Sequence, residues 1–256
     1  MAKRDEHVQR LAQLLQRASY AVALTGAGVS TDSGIPDFRS PDSGLWTRID
    51  PESVASVEGL RSDPDGFYEF WTWRFGKLKD ARPNATHELL AELERQGMIR
   101  SVITQNIDGL HREAGSATVH EVHGTYRRGV CVECGRAVPI ESVFEQVEAE
   151  GLPHCQRCGG LMKPDVVLFG ETLPQAFVDA QADAERADLI LVLGSSLEVH
   201  PVAGLVPRAQ WNGARVAIVN RDPTPYDDLA DVVLRDDLDA VVRALADDLD
   251  LDRPVH

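Results

Sequence analysis

The sequence predicts an α/β protein: a large unit on a parallel sheet, with a small metal-holding lobe inserted into the chain. Two observations predict it. Apolar runs of strand length recur at residues 20–24, 101–104, 188–193 and 214–220, and each runs into a loop rich in Gly, Ser, Asn or Asp. Open parallel sheets place their ligand crevice at the carboxyl ends of such strands. In addition, all four cysteines fall inside one short window, as Cys131-x2-Cys134 and Cys155-x2-Cys158 separated by twenty residues. At 256 residues the chain fits one domain, or one large domain with a smaller one inserted.

The first strand leads into Gly26-Ala27-Gly28-Val29-Ser30-Thr31-Asp32-Ser33-Gly34-Ile35-Pro36-Asp37-Phe38-Arg39. Gly-x-Gly after an apolar run lets the backbone approach a dinucleotide pyrophosphate and offers it N–H donors. Taken alone, the same pattern is equally a tight strand-to-helix turn. The ordinary third glycine is replaced by Thr31, and the loop continues into an aromatic ring, a carboxylate and a guanidinium. Those groups suit a cofactor that is attacked chemically rather than only held.

His87, Leu89, Leu90 and Leu93 share one face of an amphipathic helix that precedes the 101–104 strand. The strand ends in Gln105-Asn106-Ile107-Asp108-Gly109-Leu110-His111, either a capped loop or polar groups presented to a crevice. A short strand near residues 118–122 leads to His123, a candidate general base, with His111, His120 and His200 as competitors on chemistry alone.

The cysteine window reads as a zinc ribbon. Two knuckles complete a tetrahedral site through Cys131, Cys134, Cys155 and Cys158, and the glycines after each pair supply φ > 0. Four thiolates leave no open position, so the ion is structural. His154, beside Cys155, is a spare ligand.

Two later strand ends complete the crevice, at Gly194-Ser195-Ser196 and Asn220-Arg221-Asp222. Asp236-Asp237-Leu238 opens a C-terminal helix whose Leu238, Val241, Val242 and Leu245 share a face.

The net charge is −15, with 22 Arg, 4 Lys, 24 Asp and 17 Glu. Such a surface opposes nucleic acid and anionic membranes and favours cationic segments of partners. An Asp-rich, Lys-poor composition fits adaptation to high salt, a GC-rich genome or simply a solvated acidic surface. Residues 1–9 are polar and the long apolar runs are strand-sized, so the expectation is a soluble, cytoplasmic protein.

From about residue 10 to about residue 245 the chain resembles the sirtuins, NAD-dependent protein deacylases. The markers are the 26–39 run, Thr104-Gln105-Asn106-Ile107-Asp108-Gly109-Leu110-His111, His123-Gly124, the four cysteines, Pro164-Asp165-Val166-Val167-Leu168-Phe169-Gly170-Glu171 and Gly194-Ser195-Ser196-Leu197. The resemblance implies a Rossmann-like domain from residues 1–39, 86–125 and 163–256. It also implies a small lobe made of a helical module (40–85) and the zinc ribbon (126–162). NAD is expected on Gly26, Ala27, Gly28, Thr31, Phe38, Arg39, Gln105, Asn106, Ile107 and Asp108. Its phosphate side is expected on Gly194, Ser195 and Ser196, the adenosine ribose on Asn220 and the adenine on Leu238.

An acyl-lysine peptide would enter as an added strand along Val167, Leu168, Phe169, Gly170 and Glu171. Its acyl oxygen would attack the ribose to give an O-alkylimidate. His123 would then act as base and Asn106 would position water or ribose, yielding free lysine, nicotinamide and 2′-O-acyl-ADP-ribose. A monomer is expected. Two departures stand out. Gly194-Ser195-Ser196 replaces the family's Gly-Thr-Ser. Trp71 and Arg74 stand where members that remove succinyl or malonyl groups carry Tyr and Arg; an indole N–H could replace the phenol there, or the aromatic helix could simply pack the lobe. Plain deacetylation is the expected reaction. ADP-ribosyl transfer to protein and a non-catalytic NAD- or zinc-ribbon binding module are the rival readings.

Overall fold

The computed structural model describes residues 2–40 and 44–251. Residues 41–43 of the expected helical module and residues 1 and 252–256 of the expected large domain lie outside the described residues. The strands are β1 (Ala21–Thr25), β2 (Ser101–Thr104), β3 (Val119–Glu121), β4 (Gly124–Cys131), β5 (Ala137–Pro139), β6 (Met162–Val166), β7 (Leu189–Leu193), β8 (Arg215–Val219) and β9 (Val232–Leu234).

Six of these form one sheet in the order β3-β2-β1-β7-β8-β9, with every neighbouring pair parallel. Counted within the sheet this is the doubly wound order 3-2-1-4-5-6, whose direction reverses between β1 and β7. Both faces are covered, which is why the strands read as unbroken apolar runs rather than alternating ones. Ala21 and Ala23 point into a core closed by the helices Ala2–Arg17, Ala85–Arg95 and Leu238–Asp248. Val22 and Leu24 point the other way, against Gln175–Arg186 and Leu205–Trp211. The first helix refines the reading of the N-terminus as merely polar: Val8, Leu11 and Leu15 recur at helical spacing and are buried.

The second sheet is antiparallel, β5-β4-β6, and brings the cysteine turns together. Against it pack the helix Ile140–Glu150 and the three helices of the helical module, Pro51–Val54, Val57–Ser62 and Pro64–Asp80. The starts of these last three are written locally. Asp50 and Asp63 each accept an amide hydrogen as N-cap immediately before a proline, and Ser56 does the same for Gly59. Phe67, Tyr68, Phe70 and Trp71 share a core with Cys131, Ile140, Val143 and Met162. The Tyr68 hydroxyl donates to the Met162 carbonyl and staples helix to sheet. No described helix is long and apolar enough to cross a membrane.

Candidate active site

The site begins where β1, β7 and β8 end. The Gly26 amide donates to the Leu193 carbonyl at 3.1 Å, Gly28 to Gly194 at 2.9 Å, and Gly194 to Val219 at 2.9 Å. These loops touch so closely that side chains do not fit between them. A Cβ on Gly26 would lie 2.7 Å from the Gly194 oxygen, and one on Gly194 would lie 2.6 Å from the Val29 nitrogen. Gly194 also sits at φ +57, in the left-handed region. The glycines thus serve loop-on-loop contact as well as any ligand. Residues Ala27–Ser33 then wind a 3-10 turn, with Thr31 Oγ1 donating to the Gly28 carbonyl at 2.9 Å.

Beneath this turn lies a buried polar cluster. Ser30 Oγ donates to Asp108 Oδ2 at 2.7 Å, and Asp108 Oδ1 accepts the Leu110 amide at 2.9 Å. Asn106 Nδ2 donates to the Gly26 carbonyl at 3.0 Å and to Ser30 Oγ at 3.1 Å. Asn106 therefore braces the glycine loop against the end of β2. Gln105 Nε2 reaches across to Ser195 Oγ at 2.8 Å and ties β2 to β7.

His123 occupies the turn between β3 and β4. Its Nδ1 lies 3.1 Å from the Gln105 carbonyl oxygen, which can only accept, so Nδ1 bears the hydrogen and Nε2 is the basic nitrogen. Burial holds its pKa below the ordinary 6.5; Arg39 adds to that and the Gln105 carbonyl opposes it. The imidazole is neutral at pH 7 and ready to accept a proton. Of the competing histidines, His111 is buried beside β1 with Nε2 at 2.9 Å from Thr25 Oγ1, and His120 pairs with Asp183 at 2.9 Å. His200 lines the cleft with His123.

Phe38 stacks on Trp46 at 4.9 Å between centroids, and the Arg74 guanidinium lies over its ring at 4.9 Å. Arg74 is 3% exposed and donates to the Pro36 carbonyl at 3.2 Å; burial lowers its pKa to about 10, opposed by Asp108, so it stays charged at neutrality. The indole N–H of Trp71 donates to the Val54 carbonyl at 2.9 Å. That bond occupies the donor foreseen for an acyl carboxylate. Arg39 pairs across the cleft with Glu198 at 3.3 Å, a residue that sequence reasoning did not single out.

Opposite, residues 166–171 form a wall strung between two anchors. The Val167 amide donates to the His123 carbonyl at 2.9 Å. Phe169 exchanges backbone bonds with Ala55 and Val57 of the helical module at 2.8 and 3.1 Å. At the far end, Asn220 follows β8 and Leu238 begins the last helix, which Asp237 caps by accepting the Ala240 amide at 3.2 Å.

Together these elements enclose a cleft of about 570 Å³, and every non-cysteine residue predicted for a site lines it. Its floor crosses the ends of β2, β1, β7 and β8, roughly 14 Å at the usual strand spacing, which suits an extended dinucleotide. Ser30 was missed as a site residue because nothing in its type distinguishes it within the glycine-rich run; only its contacts to Asn106 and Asp108 do.

The four cysteines stand apart from the cleft. Their Sγ atoms all lie within 4.8 Å of one another, with Cys131–Cys158 at 3.5 Å and Cys134–Cys155 at 3.8 Å. Four thiolates at about 2.3 Å from one zinc ion would be spaced at about 3.8 Å, so this donor set fits zinc. Gly135 and Gly159 sit at φ +67 and +76, as the knuckle turns require. His154 instead places Nδ1 at 3.0 Å from the Gly159 carbonyl, outside the thiol cluster.

A family model described as "Sir2 family" matches residues 26–201. An NAD-dependent protein deacetylase of Oceanobacillus iheyensis is 48% identical over 223 residues, covering 87% of this chain and 92% of that protein. An NAD-dependent protein deacylase of Thermococcus kodakarensis is 45% identical over 228 residues and covers 88% of each. Among solved structures, a Sir2 complex with deacetylated p53 peptide and 3′-O-acetyl ADP ribose superposes with a TM-score of 0.91 at 38% identity, covering 96% of this chain and 99% of that one. Sir2Tm bound to a propionylated peptide gives 0.88 at 38% identity, with the same coverage.

Proposed function

This chain belongs to the Sir2 family, and from that premise we propose that it is an NAD-dependent protein-lysine deacetylase whose chemistry takes place in the cleft around His123. The supporting observation is the His123–Gln105 bond, which fixes the tautomer and leaves Nε2 as a neutral base in the cleft lined by the glycine loops. When bound, NAD supplies an activated nicotinamide–ribose bond and the ribose hydroxyls that accept the acyl group.

The chain's own residues then have separable tasks. The loops at Gly26–Gly28 and Gly194–Ser196, with Arg39, receive the phosphates. Asp108, held by Ser30 and the Leu110 amide, offers a fixed polar edge to the nicotinamide carboxamide with Ile107 beside it. Phe38, braced by Trp46 and Arg74, covers the reacting ribose carbon and keeps water away. His123 would take a proton from the ribose hydroxyls at Nε2, and Asn106, which braces the glycine loop through the Gly26 carbonyl, would position water or ribose beside it. Asn220 and Leu238 take the adenosine end.

The acyl-lysine segment lies along residues 167–171, one end of which is tied to the turn that carries His123 and the other to the helical module. Since the Trp71 donor is engaged by Val54, small neutral acyl groups are favoured over succinyl or malonyl. The zinc site holds the small lobe and takes no part in the reaction.

Nicotinamide release tests this reading, with product mass spectrometry, using acetyl-, succinyl- and malonyl-lysine peptides in parallel. The expected result is acyl-dependent release with acetyl-ADP-ribose as product and acetyl the preferred group. Release without acyl-peptide, accompanied by ADP-ribosylated protein, would replace deacylation with transfer. No release from zinc-loaded, folded protein would leave only a binding role.

A further inference from the structure

One of the four lysines is buried where the mechanism above does not use it. Lys163, on β6, is 5% exposed and does not line the cleft. The ammonium donates hydrogen bonds to the Val166 carbonyl at 2.8 Å and the Pro164 carbonyl at 3.3 Å, and its charge pairs with Glu171 Oε2 at 3.1 Å. The same Glu171 oxygen accepts the Leu168 amide at 2.9 Å. One buried charge therefore holds Pro164, Val166 and Glu171 directly and Leu168 through Glu171, and the last three of these belong to the wall along the cleft. A buried charge is tolerated only when fully paired, so the wall has one arrangement that satisfies Lys163 and strong opposition to any other.

We propose that Lys163 is a positioning residue for the acyl-lysine peptide: it acts through Glu171 to pre-order the 166–171 wall, setting peptide affinity without touching peptide or NAD. The proposal rests on the deacetylase reading. Its physical content is preorganisation: a strand added to an already ordered edge does not bear the entropy of ordering that edge. The glycine loops, Gln105 and Arg39 make none of these contacts, so NAD binding is insulated from the tie.

Steady-state kinetics on wild type, Lys163→Met and Glu171→Gln, with NAD affinity measured calorimetrically, provide the test. Lys163→Met keeps the bulk and removes the charge and all three donors. It is expected to raise the KM for acetyl-peptide at least tenfold, with kcat within threefold and the Kd for NAD unchanged. Glu171→Gln keeps an acceptor for the Leu168 amide but removes the ion pair. It is expected to raise peptide KM severalfold, and the double variant should be no worse than Lys163→Met. A purely structural role would lower the melting temperature without this split between KM and kcat.

A folded Lys163→Met variant with peptide KM within twofold of wild type overturns the proposal. So does a loss of NAD affinity in step with peptide affinity. Should Lys163→Met not fold, an unchanged peptide KM in Glu171→Gln overturns it instead. Absence of acyl-dependent nicotinamide release from wild type overturns the deacetylase reading and this proposal together; wild-type turnover with unmoved KM values overturns this proposal alone.

Discussion

The two sheets of this molecule are held together by opposite means. In the parallel sheet the strands are themselves the core: Val22, Leu24, Ile190, Val192, Val216 and Ala217 have essentially no exposed surface. In the small lobe burial is uneven: β6 is mostly buried, β4 is mostly not, and β5 has no buried residue. Its interior is assembled from Phe67, Tyr68, Phe70 and Trp71 on one helix and from two buried cysteines, Cys131 and Cys155. A three-stranded sheet so small cannot bury enough surface to stand alone. The difference teaches that metal and aromatic packing substitute for strand burial here, and that the cleft forms where a self-sufficient body meets a dependent one.

Zinc removal should break this comparison most sharply. A structural zinc site contributes on the order of 10–16 kcal/mol of apparent binding free energy at pH 7. Chelation, or Cys155→Ser, is expected to abolish protection of amide hydrogens in β4–β6 while those of β1, β7 and β8 persist. Uniform loss across both sheets in hydrogen exchange would show that neither stands without the other.

His123→Ala should leave both sheets intact and remove only the chemistry. A general base contributes about 10²–10⁴-fold in rate, so kcat is expected to fall by that range with NAD affinity preserved. Since burial lowers the His123 pKa, the acid limb of kcat/KM should lie below 6.5. A limb at or above that value would assign the base elsewhere, with His200 the next candidate in the cleft.

Gly194→Ala probes the self-sufficient body at its tightest point. A side chain at φ +57 costs about 1–3 kcal/mol before its Cβ meets the Val29 nitrogen. The melting temperature should fall and NAD affinity with it. Gly213→Ala, also at positive φ (+98) but with open space around it, should lower stability alone.

Acid should find a further weakness in the large body. His87 is buried with its pKa lowered to about 4 by desolvation, opposed by Asp108 and Glu88. Above 6.5 it is neutral whether the chain is folded or unfolded and contributes nothing to pH dependence. Between 6.5 and about 4 the unfolded chain binds a proton that the folded one refuses, so stability falls as pH falls through that window. His87→Gln keeps an N3 partner for the Asn84 capping box and removes the titration. Its melting temperature should depend less steeply on pH than that of wild type; an equal slope would mean that other groups set the acid response.

The smallest expected effect on activity is Trp71→Phe in the dependent lobe. It leaves the buried Val54 carbonyl without its donor, a stability cost of about 1–3 kcal/mol, and should not alter the preference for acetyl over succinyl peptides. A rise in succinyl turnover would show the indole to be a specificity element after all.

Much of this was legible in the chain. Apolar runs marked β1, β2, β7 and β8, and the cysteine spacing marked the knuckles, because each signal spans a few neighbouring residues and reflects local backbone or ligand geometry. The first helix was overlooked because charged residues dominate its opening turns, although the spacing of Val8, Leu11 and Leu15 was there to be read. The site's residue types were also local, lying in short motifs at strand ends.

What the sequence by itself determined is therefore the set of parts: the elements, the turns that need glycine, the four thiols and the polar strand ends. Tertiary structure decided which parts meet. It set β1 between β2 and β7, pressed Gly26 and Gly28 against Gly194, and placed His123 in the cleft while burying His111 beside β1. It also engaged the Trp71 donor with Val54 and gave Lys163 its partner in Glu171. The physical reason is that burial and pairing depend on neighbours in space. Whether a titratable or donor group is free to act is decided by a desolvation and hydrogen-bond balance that no short stretch of sequence contains.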